Sequence, residues 1–241
     1  MKYHGGKSKY KKYIVPILQR IIKKYTIKNV FVAFCGGANI EDELECENKI
    51  QSSDNSETLI ALLKHVQAGG ELPLEVSREL YNDVRSNKNT FKYPKWFIGA
   101  VGYLASFNGR YFKGGYARKQ PNRDYYDEAK RNLLKQVPKF KNIEFICKDY
   151  RVLEIPAGSL IYCDPPYQDT KEYDEEFDHE AFWEWAREKS KDNIVIISEQ
   201  QAPVDFKCIW EQEVKRTMKP AASKKATEKL FINRITGFIY E

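Results

Sequence analysis

The chain has 241 residues, of which 42% are hydrophobic and 31% charged, and its formal net charge is +6. These values are ordinary for one large globular domain, or for one domain that carries a sizeable insertion. No apolar run approaches the ~20 residues that span a bilayer, and no apolar core follows the basic N-terminal segment, so we expect a cytoplasmic protein with no membrane partner.

The cysteines and histidines indicate neither a disulfide framework nor a metal site. The five cysteines are odd in number and irregularly spaced, with no CxxC pair, and the three histidines lie far apart in the sequence. Zinc sites and disulfide frameworks use paired or regularly spaced ligands. We therefore expect no bound metal.

The charges are segregated along the chain. Residues 1–40 contain nine Lys or Arg and no acid, whereas residues 41–57 and 172–180 are strongly acidic. Residues 85–123 contain nine Lys or Arg, nine aromatic residues and no acid. Basic and aromatic side chains in one segment favour nucleic acid as the partner, because phosphate pairing uses the first type and base stacking the second.

The first 59 residues read as the opening of an α/β fold. Apolar spacing predicts a helix over residues 12–25, and the buried strand 29–34 runs into Gly36 and Gly37. A second short strand ends at Asp54, and a helix follows it. A strand that ends in two glycines is a place where backbone can approach a ligand closely.

Residues 60–142 lack an alternating strand pattern and read as a mostly helical insertion. Helices are predicted over residues 73–86, 93–107 and 125–137. A loop rich in Gly, Asn and Arg, residues 108–124, connects the second helix to the third.

The α/β pattern returns in residues 143–241. Strands are predicted over residues 142–150, 159–164 and 193–200, with a helix over residues 178–190. Residues 208–216 and 228–235 are predicted to close the sheet as an antiparallel pair, joined by a basic segment that is a candidate for phosphate contact.

Three predicted strands end in a carboxylate: Asp54, Asp149 and Asp164. Taken singly, each acid is better explained as a helix N-cap or an Asx turn. Ligands of open α/β sheets bind at the carboxyl edge of the strands, so the three acids together predict a site for a ligand rich in hydroxyl and amino groups.

The segment Asp164-Pro165-Pro166-Tyr167 has its own chemistry. Both prolines lack an N–H and fix φ, so the loop is rigid and presents hydrogen-bond acceptors, the Asp164 carboxylate and the Pro165 carbonyl. Tyr167 adds a ring against which a planar group can stack. Two acceptors beside a stacking platform suit the exocyclic amine of a nucleobase.

Asp-Pro-Pro-Tyr after an apolar strand resembles the catalytic motif of amino-group DNA methyltransferases. The whole chain is similar to the Dam-like adenine-specific family of phage and prophage type, because further motifs follow in the same order: YHGGKS, FVAFCGGAN, SSDNS and CKDY. The resemblance implies an α/β, Rossmann-like sheet that binds S-adenosylmethionine. It also implies a catalytic domain in two parts, residues 1–59 and 143–241, separated by a target-recognition insertion, residues 60–142.

Site residues follow from the same resemblance. It implies a catalytic group of Asp164, Pro165, Pro166 and Tyr167. It implies cofactor contacts from Tyr3, Gly6, Lys7, Phe34, Gly36, Gly37, Asp54, Asp149, Tyr150 and Asp164. For the insertion we expect contacts to double-stranded DNA from Asn108, Arg110, Tyr111, Lys113, Arg118 and Arg123.

The implied reaction is transfer of a methyl group to the amino group of an adenine flipped out of duplex DNA, in a bacterial or phage-infected cell. One departure from the family pattern concerns Val32 and Ala33, which stand where the family usually has an acid and a proline. It leaves open a DNA-binding relative that holds the cofactor poorly. A methyltransferase acting on RNA or protein amines is a second alternative, and a nucleotide-binding α/β protein without methyl transfer is a third.

Overall fold

A computed structural model describes residues 1–167, 177–214 and 226–233 of the chain. Among these residues the helices are α1 (Lys11–Lys24), α2 (Glu57–Gln67), α3 (Arg78–Ser86), α4 (Lys95–Gly99), α5 (Tyr125–Gln136) and α6 (His179–Lys189). The strands are β1 (Val30–Val32), β2 (Ile50–Asp54), β3 (Ile143–Cys147), β4 (Leu160–Cys163), β5 (Ile194–Glu199), β6 (Phe206–Val214) and β7 (Ala226–Asn233).

The described strands form one sheet in the order β3-β2-β1-β4-β5-β7-β6. The first five strands are parallel, and β7 is antiparallel to both β5 and β6. The chain therefore winds outward from β1 in both directions, and the expected closing pair forms the far edge. This is the predicted Rossmann-like α/β architecture.

The sheet is buried on both faces because alternate residues of its central strands enter two different apolar clusters. In β4, Leu160 and Tyr162 pack with α1, α2 and the insertion, whereas Ile161 and Cys163 pack with α6. A parallel sheet requires this double cover, and it explains why the central strands read as continuous apolar runs.

Most predicted elements are confirmed, with two differences in the insertion. The helix predicted over residues 73–86 begins only at Arg78, because the Ser77 hydroxyl accepts a hydrogen bond from Leu80 N and sets its N-terminus there. The helix predicted over residues 93–107 is α-helical only to Gly99 and continues as a π-helix over Ala100–Leu104.

Close packing of α4 on α2 depends on Gly99. A Cβ atom at this position would lie 2.1 Å from the carbonyl oxygen of Thr58 in α2. The absent side chain lets the two helices approach at backbone distance. The insertion is thereby part of the main core, and the proposed boundaries at residues 59 and 142 stay a prediction.

Among the described residues, no helix has the length and apolar character to cross a bilayer. Within the same residues, no group of three or more His, Cys, Asp or Glu side chains is placed to hold a metal ion. The basic segment over residues 215–225 and the acidic residues 172–176 lie outside the described residues.

Candidate active site

The parallel strands bring the three predicted acids to one edge of the sheet, where they line a cavity of about 660 Å3. Asp54 is the last residue of β2, Asp164 directly follows β4, and Asp149 lies two residues beyond β3. The other predicted catalytic and cofactor residues line the same cavity. The structure therefore brings together the groups that the resemblance implied.

Asp54 is held by the glycine loop, the segment after β1 that contains Gly36 and Gly37. Its Oδ2 accepts a hydrogen bond from Gly36 N at 3.1 Å, and its Oδ1 accepts one from Ser56 N at 3.0 Å. Burial raises the pKa of this carboxyl, and the two backbone amides oppose the rise. Each oxygen retains a second lone pair, so the carboxylate is fixed in place and can accept a further hydrogen bond.

The glycine loop packs against the N-terminal segment. Gly36 has φ +49°, and a Cβ atom there would lie 2.9 Å from the ring of Tyr3. The Tyr3 ring also stacks on Tyr103 of the insertion at a centroid distance of 5.7 Å. Tyr3 therefore joins the glycine loop to the insertion across one wall of the cavity.

Asp149 and Tyr150 have different surroundings. Arg151 donates to Asp149 through Nε at 2.8 Å and Nη2 at 3.0 Å, and this guanidinium holds the pKa of the carboxyl below its ordinary value. Tyr150 is buried and packs on Phe34 at 5.2 Å and on Phe177 at 6.0 Å. These aromatic rings form an apolar wall suited to a planar heterocycle.

Lys7 lies at the centre of the catalytic motif. Its Nζ is 2.6 Å from Asp164 Oδ1 and 4.5 Å from the centroid of the Tyr167 ring. Burial lowers the pKa of this lysine, but the Asp164 and Glu228 carboxylates outweigh burial and the pKa is raised. Lys7 therefore remains charged beside the acid that the motif supplies.

Asp164 has a pKa raised to about 6, because burial disfavours the carboxylate more strongly than Lys7 favours it. The charge of Glu228 adds to the rise. An acid whose pKa lies near neutrality in a cavity is typical of groups that handle protons in reactions.

The motif tyrosine is fixed by two residues that the sequence analysis did not identify. The Tyr167 hydroxyl donates to Glu228 Oε1 at 2.6 Å and lies 3.4 Å from Ser198 Oγ. Glu228 lies in β7 and Ser198 in β5, and both are buried. No signal in the sequence marks them, because Glu228 is an isolated acid in the last strand and Ser198 ends an apolar run.

Glu41 is a third residue that the sequence analysis missed. It is only 2% exposed and lines the cavity; its Oε1 accepts from Ser52 Oγ at 2.5 Å and its Oε2 from Ile40 N at 3.3 Å. Burial raises its pKa to about 7. The signal was the acidic run directly after the glycine loop.

The predicted DNA-binding residues divide into two groups. Arg110, Tyr111 and Lys113 line the cavity, and Tyr111 packs against Tyr103 at 4.8 Å. Asn108, Arg118 and Arg123 are exposed, and Arg123 makes a bidentate ion pair with Glu128. The DNA contacts of all six residues stay predictions.

The fold and the site define a class of enzyme. A Rossmann-like sheet, a glycine loop, an acid after β2 and Asp-Pro-Pro-Tyr after β4 are the features of an amino-group methyltransferase, and they imply S-adenosylmethionine as methyl donor. The sequence profile of the D12 class N6 adenine-specific DNA methyltransferases matches residues 3–205. The chain belongs to this family, which confirms the predicted family and makes the protein an adenine methyltransferase.

Solved structures with a similar arrangement are distant in sequence. The rRNA methyltransferase aviRa from Streptomyces viridochromogenes is 11% identical, with 91% of this chain and 83% of the other covered and a TM-score of 0.40. The 23S rRNA methyltransferase ErmE is 10% identical, with 94% of this chain and 70% of the other covered and a TM-score of 0.40. A tRNA methyltransferase from Aquifex aeolicus is 9% identical, with 89% of this chain and 66% of the other covered and a TM-score of 0.36. No curated protein matches the sequence.

Proposed function

We propose that the protein is a site-specific DNA methyltransferase that transfers a methyl group from S-adenosylmethionine to the exocyclic amine of an adenine flipped out of duplex DNA. The observation that carries this proposal is the position of Asp164, Pro165 and Tyr167 at the carboxyl edge of β4, on the wall of the same cavity that the glycine loop and Asp54 line.

The residues of the cavity fit the cofactor by their chemistry. Asp54 offers acceptors to the ribose hydroxyl groups, and Phe34 with Tyr150 offers an apolar wall to the adenine ring. Glu41 offers a buried carboxylate to the α-ammonium group of the methionine part. When bound, S-adenosylmethionine supplies an electrophilic methyl group.

Glu41 can replace the acid that the family usually has at the positions of Val32 and Ala33. Both residues are buried at the end of β1, and neither carries a charge. Glu41 lines the cavity a few residues further along the chain, so a carboxylate is present near the glycine loop without the usual acid. This arrangement favours a cofactor-binding enzyme over the DNA-binding relative without activity.

The protein groups act on the target amine. The Asp164 carboxylate and the Pro165 carbonyl each accept one amino hydrogen, which directs the nitrogen lone pair out of the ring plane. Tyr167 stacks on the base. The acceleration comes mainly from this positioning, because the amine becomes acidic only as its new bond forms. Asp164, with a pKa of about 6, is then within reach to accept the released proton.

Duplex DNA and base flipping are supported by the insertion and by burial. The insertion contributes Arg110 and the exposed Lys113 to the cavity that contains Asp164. The Asp164 side chain is only 16% exposed, which favours a base that has left the stack. A cytoplasmic location in a bacterial or phage-infected cell, with a restriction-modification or phage setting, belongs to the same proposal.

The test is mass spectrometry of nucleosides. The purified protein is incubated with S-adenosylmethionine and unmethylated duplex DNA, and parallel reactions contain single-stranded DNA or RNA. We expect N6-methyladenine in the duplex reaction, confined on sequencing to one short motif. Methylation of RNA alone would overturn the proposed substrate, and absence of any methylated base would overturn the proposed activity.

A further inference from the structure

The charges around the catalytic motif are unequal in number. Among the described residues, three acidic side chains, Asp164, Glu199 and Glu228, lie around the cation Lys7, and all four side chains are largely buried. Burial raises the pKa of Glu199 to about 8, so this side chain is mostly protonated at neutral pH. Lys7 Nζ is 2.6 Å from Asp164 Oδ1 and 3.6 Å from Glu228 Oε1. The ammonium therefore lies between two carboxylates and is closer to the one that the reaction uses.

In this position Lys7 contacts the two groups that bind the target base in the proposed function, the Asp164 carboxylate and the Tyr167 ring. Its ammonium group donates to Asp164 and lies 4.5 Å from the centroid of the Tyr167 ring. An amine that enters to donate to Asp164 and stack on Tyr167 competes with this ammonium for both. A buried ammonium cannot simply lose its partner, because an unpaired buried charge is costly.

Glu228 offers the alternative partner. A movement of Lys7 Nζ by about 1 Å toward Glu228 Oε1 brings the pair within hydrogen-bond distance. Glu228 Oε1, the oxygen nearest to Lys7, already accepts hydrogen bonds from the Tyr167 hydroxyl at 2.6 Å and from Ser198 Oγ at 2.5 Å, so it would receive Lys7 as a third donor. Its strand β7 is paired with β5. The acceptor is thus fixed in place before the lysine moves.

We propose that Glu228 is a positioning residue, which receives Lys7 when the target amine takes its place on Asp164. This inference rests on the proposed function, because it assumes that an amine binds at Asp164. The exchange breaks the Lys7–Asp164 contact, tightens the Lys7–Glu228 contact and keeps the lysine charge inside the cavity, where it still lowers the pKa of Asp164.

The pH dependence gives a readout that a merely structural role of Glu228 would not move. Among the described residues, the titratable groups that interact with Asp164 come from the N-terminal segment, from β4 and the loop after it, from β5 and from β7: Lys7, Tyr162, Cys163, Tyr167, Glu199 and Glu228. The charge of Lys7 lowers the pKa of Asp164, and the charge of Glu228 raises it. Removal of the Lys7 charge should therefore move the acid limb of the kcat profile to higher pH, and removal of the Glu228 charge should move it to lower pH.

The experiment compares wild-type protein with Glu228→Gln, Lys7→Met and the double variant on duplex DNA. For Glu228→Gln we expect kcat to fall roughly tenfold or more, because Lys7 stays on Asp164, and the acid limb to move about half a pH unit or more downward. For Lys7→Met the acid limb should move upward. The double variant should be more active than Lys7→Met, because it removes one anion together with the cation.

Two further variants separate charge from shape. Glu228→Asp keeps the negative charge but places it one methylene group further from Lys7. We therefore expect a kcat value between those of the wild type and Glu228→Gln. Glu211→Gln removes an exposed carboxylate from the neighbouring strand β6 and should leave kcat and the acid limb unchanged. If Glu228→Gln does not fold, Glu228→Asp carries the test.

A second readout does not depend on activity. A double-mutant cycle on thermal unfolding, without DNA or cofactor, should show that Lys7→Met and Glu228→Gln are not additive. Additive effects, or a Glu228→Gln variant with the wild-type kcat and acid limb, would overturn the exchange and leave the proposed function intact. If the wild-type protein methylates no DNA, the proposed function fails and the exchange fails with it.

Discussion

The edge of the sheet and the outer face of the insertion both contain charged side chains, but they hold them in different ways. Lys7 is 5% exposed, and its Nζ lies 2.6 Å from Asp164 Oδ1 and 3.6 Å from Glu228 Oε1. Arg118 and Arg123 are exposed on the insertion. Buried charges interact strongly and shift one another's pKa, whereas exposed charges are screened by water and salt. The first arrangement suits chemistry, and the second suits the reversible contact with DNA that we propose for the insertion.

Asp164→Ala should have the largest effect on methylation. It removes the carboxylate that holds the target amine, and we expect the single-turnover rate to fall at least about 100-fold. DNA affinity, measured by fluorescence anisotropy, should remain close to that of the wild type, because the insertion is untouched. Substantial methylation by this variant would contradict the assignment of Asp164.

Glu41→Gln should weaken cofactor binding by about tenfold, measured by calorimetry, because it removes the anion proposed to face the α-ammonium group. The pKa of Glu41 is raised to about 7, so the carboxylate forms only as pH rises through that value. Wild-type affinity should therefore rise with pH across pH 7, and that of the variant should not.

Methylthioadenosine provides the control for Glu41, because it contains the adenosine part without the amino-acid part. Its affinity should be the same for both proteins. An equal loss for both ligands would show that Glu41 supports the glycine loop and does not bind the ammonium group.

Arg118→Ala should weaken DNA binding by about 1–3 kcal/mol if the arginine reads a guanine edge, and it should relax specificity at one base pair. Arg123→Ala is the matched comparison on the same loop, because Arg123 already makes a bidentate ion pair with Glu128. Lys113→Ala should reduce the salt dependence of affinity by about one counterion without a change in specificity. If the two variants lost the same DNA affinity on every DNA sequence, both arginines would contact only phosphate.

Ser56→Ala should have the smallest effect. Ser56 Oγ accepts from Leu59 N at the start of α2 and lies 3.0 Å from the Tyr103 hydroxyl of the insertion. Loss of this N-cap should lower the free energy of unfolding by about 1 kcal/mol, a decrease in Tm of roughly 2–4 °C. Thr58→Ala, two residues further along the chain, is the comparison. A larger decrease in the free energy of unfolding for Thr58→Ala would contradict the role of Ser56 as the N-cap.

The strand pattern by itself determined the sheet and placed Asp54 and Asp164 at one edge. Parallel strands must be covered on both faces, so they appear in the sequence as apolar runs, and the acids that end such runs share the carboxyl edge. The glycine loop and Asp-Pro-Pro-Tyr were equally visible, because rigid loops need particular residue types at adjacent positions.

Only the tertiary structure decided the partners of these groups. Glu228 and Ser198 reach Tyr167 because β7 pairs with β5 in antiparallel register, and this register depends on contacts between residues far apart in the chain. The position of Lys7 between two carboxylates follows from the packing of the N-terminal segment against the sheet edge. Local sequence sets strands and turns, whereas the balance of buried charge depends on which strands become neighbours.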